Sequence, residues 1–313
     1  MVYVSHLAYS LGDIANTVEE AAAADLIVSK TVALREAGFS LHHVCSPQKS
    51  SYDLARDCVQ AIRPNLGDIG AILYSTCIPL NASMISNRFE VSRDVKDLMD
   101  FPASHLQEEF SLTRASVIGI VQQACTGMLG SLRLARALLL MEPDVQRVLC
   151  LSSDRFPEGA LYEQSYNLIS DGATCCVVSL EPQGYRLVAT HAVTNGAMAT
   201  ASDDETVGTF FTYAHQVILE TLNKAGLTMR DIHHVAAQNM NPSAWKILSR
   251  LLGFNFENVH SPTLSEIGHV ISGDNIINLK HLDDSGSIQT GERVLMFMAG
   301  YGLNWQCVIL EKV

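Results

Sequence analysis

Amphipathic segments alternate along the chain with short apolar runs, and one such pairing occurs twice. Residues 54–62 have apolar positions at helical spacing and lead, through a polar turn containing Asp-Ile, into the apolar residues 71–75. Residues 217–226 lead through a second Asp-Ile turn into the apolar residues 234–237. Each copy therefore predicts a helix followed by a buried strand.

Each copy is followed by a further strand and helix, and then closes on a strand that begins Arg-Val-Leu. These elements are residues 117–122, 128–141 and 147–151 in the first copy, and 259–266, 274–282 and 293–297 in the second. Alternating helices and apolar strands predict an α/β protein with a mostly parallel sheet that is covered on both faces. We predict two repeated halves, residues 1–180 and 181–313, within one body.

The composition excludes several classes of function. The 313 residues carry a formal net charge of −12, whereas a general nucleic-acid binder or a protein that docks on anionic lipid needs a basic surface. The chain begins without a basic segment followed by an apolar one, so we expect no signal peptide. Its longest apolar stretch, residues 116–141, contains two glutamines and two arginines, which argues against a membrane span. We expect a soluble cytoplasmic protein with no membrane and no nucleic-acid partner.

Eight cysteines are scattered at irregular spacings, without a Cys-x-x-Cys pair or a zinc-like cluster, so no metal site is predicted. Most should be buried thiols, and the pair Cys175-Cys176 lies in an apolar run. Cys125 differs, because it follows a strand-like run and opens the helix predicted at residues 128–141. The helix dipole there stabilises a thiolate, and the Cys125 N–H can bind an oxyanion. The pattern alone leaves an inert core thiol as an equal alternative.

A family resemblance gives Cys125 a role. Residues 123–128 (Gln-Ala-Cys-Thr-Gly-Met) resemble the nucleophile elbow of the beta-ketoacyl-ACP synthase III family of the thiolase superfamily. The similarity covers nearly the whole chain and includes residues 73–76, 170–173 and the Gly-rich residues 298–305. It implies a thiolase fold, in which the two halves form a five-layer α-β-α-β-α sandwich. It also implies that Cys125 carries an acyl group and that the backbone N–H groups of Cys125 and Tyr301 form an oxyanion hole.

The two other catalytic positions of that family are changed. Gln238 stands where the family has the His of His-Gln-Ala-Asn, and His269 stands where it has the Asn of His-Gly-Asn. This exchanged order resembles degradative thiolases, in which the histidine is a base. We therefore predict that His269 takes the proton of Cys125 and later that of an acceptor, while Gln238 donates to a carbonyl oxygen. A structural core histidine is the alternative for His269.

These parts predict an acyltransferase. An acyl-thioester, on a carrier protein or on CoA, would load Cys125, and a small-molecule acceptor would unload it, in polyketide-like specialised metabolism and without a cofactor. A second hypothesis is that the protein is a decarboxylative ketosynthase that forms carbon–carbon bonds with a rearranged triad. A third hypothesis is that the protein is a non-catalytic partner subunit of a synthase heterodimer.

The donor and the partners are predicted from the same resemblance. The tryptophan and one arginine that bind CoA in the family are absent, and only Arg35 lies nearby in the sequence. The helix after Asn241 carries Trp245, Lys246 and Arg250, which we interpret as a possible docking spot for an acidic carrier protein, or else as a solvated helix face. The resemblance also implies a homodimer built on the sheet around the nucleophile.

Overall fold

A computed structural model of the chain describes residues 1–84, 88–164, 167–301 and 304–313. The strands within these ranges are β1 (Tyr3–Leu11), β2 (Ile14–Thr17), β3 (Leu41–Val44), β4 (Ala71–Ser75), β5 (Ser116–Ile120), β6 (Arg147–Asp154), β7 (Glu163–Gln164), β8 (Asn167–Leu168), β9 (Gly172–Ser179), β10 (Tyr185–Thr194), β11 (His234–Ala236), β12 (Val259–His260), β13 (Arg293–Gly300) and β14 (Asn304–Lys312). The helices are α1 (Val18–Ala23), α2 (Thr31–Glu36), α3 (Ser51–Ala61), α4 (Arg88–Ser92), α5 (Pro102–Glu109), α6 (Gly127–Met141), α7 (Asp203–Ala225), α8 (Pro242–Leu252), α9 (Leu264–Ile267) and α10 (Asp274–Asp284). The predicted alternation of strands and helices is confirmed.

One large sheet runs through the molecule, and its strand order repeats. The order is β5-β4-β6-β9-β1 from one edge to the middle, and β12-β11-β13-β14-β10 from the other edge. In each half the two outer pairs are parallel and the two inner pairs antiparallel. The repeated topology is as predicted, but the expectation of a mostly parallel sheet is wrong. The inner strands are β9 and β1 in the first half and β14 and β10 in the second. Each runs opposite to the strand before it in the sheet order, so the inner pairs are antiparallel.

Helices form three layers around the two halves of this sheet. Helices α6 and α10 each contact strands of both halves and therefore lie between them. Helices α3 and α5 pack with β4, β6 and β9 in one hydrophobic cluster, and α7 and α8 pack with β11, β13 and β14 in another. This arrangement is the α-β-α-β-α sandwich that the resemblance implies.

The apolar character of α6 follows from its central position. Residues Ala124–Met141 are long and apolar enough to cross a membrane by length and composition, but half of this segment is buried inside the protein. Leu129 and Leu132 are buried against both halves, and burial of each such side chain contributes about 1.5–3 kcal/mol. The segment is a core helix.

The prediction of a strand over residues 259–266 is wrong for most of that range. Only Val259–His260 pair as β12, and Leu264–Ile267 form the short helix α9. Pro262 lies between them and cannot donate to a sheet, so pairing ends before it. The chain then turns towards the first half, which brings the Gly268-His269 segment beside β8.

Candidate active site

Cys125 lies in a strained turn ahead of the central helix. A short 3-10 turn, Ala124–Thr126, follows β5 and leads directly into α6 at Gly127. Ala124 has a φ of +44°, a left-handed conformation that residues other than glycine rarely adopt. This turn places the Cys125 side chain, which is buried, at the carboxyl ends of the parallel strands of the first half.

His269 comes from the second half but is anchored to the first. The His269 N–H donates to the Leu168 carbonyl (2.8 Å), and the Ser170 N–H donates to the His269 carbonyl (2.9 Å). Gly268 has a φ of +72°, and a Cβ atom there would lie 2.7 Å from the Leu168 oxygen. Only glycine therefore permits this approach, which buries the His269 imidazole between the halves.

Asp274, the first residue of α10, completes the arrangement. Its Oδ2 atom accepts from His269 Nδ1 (2.6 Å) and from the Asn239 N–H (2.7 Å), and its Oδ1 atom accepts from the Val270 N–H (2.7 Å). The carboxylate fixes the tautomer of the imidazole by holding Nδ1–H. His269 Nε2 is buried without a hydrogen bond to any described residue, and it interacts with the neighbouring Cys125.

The surroundings of Cys125 and His269 favour the charged form of each side chain. Burial opposes a charged imidazole, but the Asp274 carboxylate and Cys125 outweigh it and raise the pKa of His269 to about 10. A hydrogen bond with Cys77, and then His269, hold the pKa of the Cys125 thiol well below its usual range against the effect of burial. These two shifts favour a Cys125 thiolate beside a protonated His269 at neutral pH.

Cys77 is a second thiol beside the nucleophile. It follows β4 and packs against the hydrophobic cluster that contains Cys125. A hydrogen bond with Cys125 and burial raise the pKa of Cys77, which favours the protonated thiol as a donor towards Cys125. The buried Asp154 carboxylate fixes the turn, because it accepts from the backbone N–H groups of Cys77 (2.9 Å) and Ile78 (3.1 Å).

Gln238 is tied to the backbone of the loop that it approaches. Gln238 Nε2 donates to the Ala299 carbonyl (3.3 Å), and the Ala299 N–H donates to Gln238 Oε1 (3.1 Å). This pair holds the end of β13 in place. Nε2 carries a second hydrogen, so donation to a thioester carbonyl stays a prediction.

A buried polar network supports the same region. The Asn239 side chain donates to the Gly268 carbonyl (2.7 Å) and to Thr263 (3.0 Å), and Asn278 donates to Asn239 Oδ1 (2.9 Å). Because Gly268 precedes His269, these bonds fix the histidine loop against α10. Such fully bonded buried amides favour one arrangement of the site.

The end of β13 lies directly against the nucleophile turn. A Cβ atom at Gly300 would lie 3.0 Å from the Gln123 carbonyl and 3.2 Å from the Cys125 nitrogen. Tyr301 follows with an exposed side chain, and residues 302–303 of the Gly-rich loop lie outside the described ranges. The oxyanion hole of Cys125 and Tyr301 stays a prediction.

The predicted docking residues lie on the surface, with one exception. Lys246 and Arg250 are exposed on α8, and Lys246 Nζ lies 5.5 Å from the centre of the Phe256 ring. Trp245 is buried and donates its ring N–H to the Gln238 carbonyl (3.0 Å). The expectation that Trp245 contributes to this surface is wrong, because its ring packs into the core. Arg35 forms an exposed ion pair with Glu19.

Sequence reasoning missed Asp274 and Cys77. Asp274 stands five residues after His269, where a helix begins, and an acidic residue at that spacing was the available signal. Cys77 has no motif around it and reaches the site only through the fold. Over the part of the chain that the structure describes, no cluster of three or more His, Cys, Asp or Glu side chains is arranged to hold a metal ion.

The sequence also matches two family models. The model of 3-oxoacyl-(acyl-carrier-protein) synthase III matches residues 121–196, and the model of its C-terminal part matches residues 222–312. No curated protein matches the sequence.

Similar solved structures cover nearly the full length of both chains. An acyltransferase named ChlB3 has a TM-score of 0.80 and 19% identity, over 100% of this chain and 98% of that chain. The beta-ketoacyl-(acyl carrier protein) synthase III of Thermus thermophilus has a TM-score of 0.80 and 20% identity, over 99% of each chain. OleA of Xanthomonas campestris, solved with bound lauric acid and lauroyl-CoA, has a TM-score of 0.79 and 14% identity, over 99% of this chain and 98% of that chain. All three share the fold described above.

Proposed function

Because the chain belongs to the 3-oxoacyl-(acyl-carrier-protein) synthase III family of the thiolase superfamily, whose members transfer or condense acyl groups, we propose that it is an acyltransferase that works through a thioester on Cys125. The observation that carries the proposal is the buried Cys125–His269–Asp274 arrangement. A thiolate paired with a protonated imidazole is ready to accept an acyl group.

In the loading step the Cys125 thiolate attacks the carbonyl carbon of an acyl-thioester. Negative charge develops on the carbonyl oxygen, where backbone N–H groups stabilise it. As the tetrahedral intermediate collapses, the carbon–sulfur bond to the donor breaks, and His269 gives its proton to the departing thiolate. The acyl group is then held on Cys125, and His269 is neutral.

In the transfer step the neutral His269 takes a proton from the acceptor, a hydroxyl, amine or thiol. The acceptor attacks the acyl carbon, and Cys125 leaves as a thiolate beside the newly charged imidazole. Asp274 stays ionised and keeps Nδ1–H in place, so one tautomer serves both steps. The two steps return the resting ion pair.

The chemistry of the second catalytic position supports transfer rather than decarboxylation. A decarboxylating site holds the malonyl carbonyl with two hydrogen-bond donors and needs no base for an acceptor. Here His269 is a base that is hydrogen-bonded to the Asp274 carboxylate, and the Gln238 amide already forms hydrogen bonds with the Ala299 backbone. The fold is also similar to that of a protein named as an acyltransferase, and we propose that this chain works in polyketide-like specialised metabolism.

We expect a single burst of thiol release when the protein meets an acyl-thioester without an acceptor. Each active site should release one equivalent of CoA or carrier thiol, because Cys125 stays acylated until an acceptor arrives. Rapid-quench assay of the thiol measures this burst. With a malonyl thioester we expect no CO₂; CO₂ released in step with transfer would instead establish the decarboxylative alternative.

The same assay distinguishes the donors. We favour a carrier-protein donor, because Arg35 is already paired and Lys246 and Arg250 are exposed on α8. The double variant Lys246→Glu/Arg250→Glu should raise the KM for an acyl-carrier protein and leave the KM for acyl-CoA unchanged. Lys280→Glu, on α10, is the matched control for a change of charge elsewhere. An equal rise with both variants would contradict docking at α8.

We further propose that two copies associate through β5. This strand forms an outer edge of the sheet, and its Val117 is 36% exposed. Val91, Leu98 and Phe101, in the segment between β4 and β5, also expose large apolar side chains. An exposed apolar edge strand is normally covered, and a second copy would extend the sheet.

Sedimentation equilibrium should therefore give twice the 34.1 kDa of one chain. Val117→Lys should shift the protein towards the monomer, because it places a charge on the edge that is covered. Leu251→Lys, at an exposed apolar position on α8, should remain dimeric. A monomeric native protein would end the proposal.

A further inference from the structure

Two strained residues stand on either side of the catalytic pair. Ala124, just before Cys125, has a φ of +44°, and Ile271, two residues after His269, has a φ of +40°. Positive φ is a marked outlier for a β-branched residue such as Ile271, which is buried. Strained conformations persist only where the surrounding structure holds them, so the contacts at these two loops need an explanation.

Ser272 joins the two strained loops. Its side chain is 2% exposed, and its Oγ atom donates to the Ala124 carbonyl at 3.2 Å. The Gly127 N–H donates to the same carbonyl, so both lone pairs of that oxygen are used. A Cβ atom at Gly127 would lie 3.3 Å from Ser272 Oγ, so the hydroxyl group occupies the space that this glycine leaves.

The bond from Ser272 also determines where the Cys125 N–H points. The Ala124 carbonyl and the Cys125 N–H belong to one trans peptide, so they point in opposite directions. While Ser272 holds the carbonyl, the N–H must face away from it. A Cβ atom at Gly300 would lie 3.2 Å from the Cys125 nitrogen and 3.0 Å from the Gln123 carbonyl oxygen, so the end of β13 packs closely against this peptide.

We propose that Ser272 is a positioning residue that orients the Cys125 N–H as an oxyanion donor in both acyl-transfer steps. The inference rests on the proposed function, because an oxyanion forms only when a carbonyl carbon is attacked. Without the hydroxyl group, the Gly127 N–H alone holds the Ala124 carbonyl, and the peptide can rotate. Alkylation of Cys125 by iodoacetamide is a displacement at a saturated carbon and forms no oxyanion, so it should not depend on Ser272.

The test compares acylation and alkylation of the same thiol. Acylation is followed as the burst of p-nitrophenolate from p-nitrophenyl acetate, with the signal of Cys125→Ala subtracted. Ser272→Ala should acylate about tenfold more slowly, between the loss of one neutral hydrogen bond and the loss of a whole oxyanion donor. The rate of alkylation by iodoacetamide and its pH profile should stay as in the native protein.

Ser75→Ala is the matched control. The Ser75 hydroxyl group lies 3.2 Å from the same Cβ position at Gly127, but it donates to the Leu151 carbonyl (3.1 Å) and not to the nucleophile turn. Its removal should leave the burst unchanged. If Ser272→Ala does not fold, Ser272→Gly removes the same hydroxyl group and gives the backbone of the strained loop more conformational freedom.

Two results would overturn the proposal. One is native acylation by the Ser272 variants. The other is an equal loss of acylation and alkylation, which would mean that Ser272 only maintains the loop structure. A native protein that reacts with p-nitrophenyl acetate but with no acyl-thioester would refute the proposed function separately, because the nitrophenyl ester reports on Ser272 without a natural donor.

Discussion

Cys125→Ala should abolish the covalent acyl-enzyme and reduce transfer to the uncatalysed level. No other described thiol combines a lowered pKa with contact to His269, since the pKa of the neighbouring Cys77 is raised by its bond to Cys125 and by burial. Intact-mass spectrometry after incubation with acyl-thioesters measures the adduct. The expected mass increase is one acyl group on the native chain and none on the variant.

Cys77→Ala is the matched control for this result. It removes the adjacent thiol but leaves Cys125, so the adduct should still form. The variant loses a hydrogen-bond donor to the thiolate, so the pKa of Cys125 should rise and alkylation at neutral pH should slow. An adduct that survives in Cys125→Ala, or a native chain that no thioester modifies, would disprove Cys125 as the acyl carrier.

His269→Ala should slow both acylation and transfer by about 10²–10⁴-fold, the usual contribution of a positioned general base. The proton of the thiol and that of the acceptor both pass through Nε2, so both steps lose their proton carrier. Rapid-quench kinetics with and without the acceptor measures the two steps separately. Full transfer by His269→Ala would mean that the helix dipole and Cys77 activate Cys125 without it.

The pH profile of Cys125 alkylation gives an independent check on His269. In the native protein the thiolate is present well below the ordinary cysteine pKa of about 8.5, and His269 stays charged up to a pH of about 10. The rate should therefore be nearly flat from pH 7 to about pH 9. In His269→Ala the stabilising charge is lost, so the rate should be low at pH 7 and rise with pH.

Asp274→Asn separates the charge of Asp274 from its shape. The asparagine keeps the size of the side chain but removes the charge that raises the pKa of His269. The pKa of His269 should fall, and the flat region of the alkylation profile should end at lower pH. An unchanged profile would limit Asp274 to a structural role.

Local sequence patterns determined much of the fold. Apolar residues at helical spacing predicted α3 and α6, and short apolar runs predicted β4, β6 and β13, because burying one face of each element imposes that spacing. The repeated Asp-Ile turns indicated two halves of like topology, and the sheet order agrees. The pattern failed at residues 259–266, where the apolar run is short and interrupted by Pro262.

Only part of the chemistry of the site could be predicted from the sequence. Cys125 could be found from the chain because a cysteine before a predicted helix is a local signal, and His269 could be found because its motif resembles that of a known family. Cys77 and Ser272 could not be given roles in that way, and Asp274 offered only its spacing from His269. Their partners are Cys125, the Ala124 carbonyl and the Asn239 N–H, which are distant in sequence. Local periodicity records burial and backbone conformation, whereas these contacts join distant segments within the first half, within the second half and between the two halves, so the tertiary structure alone decided them.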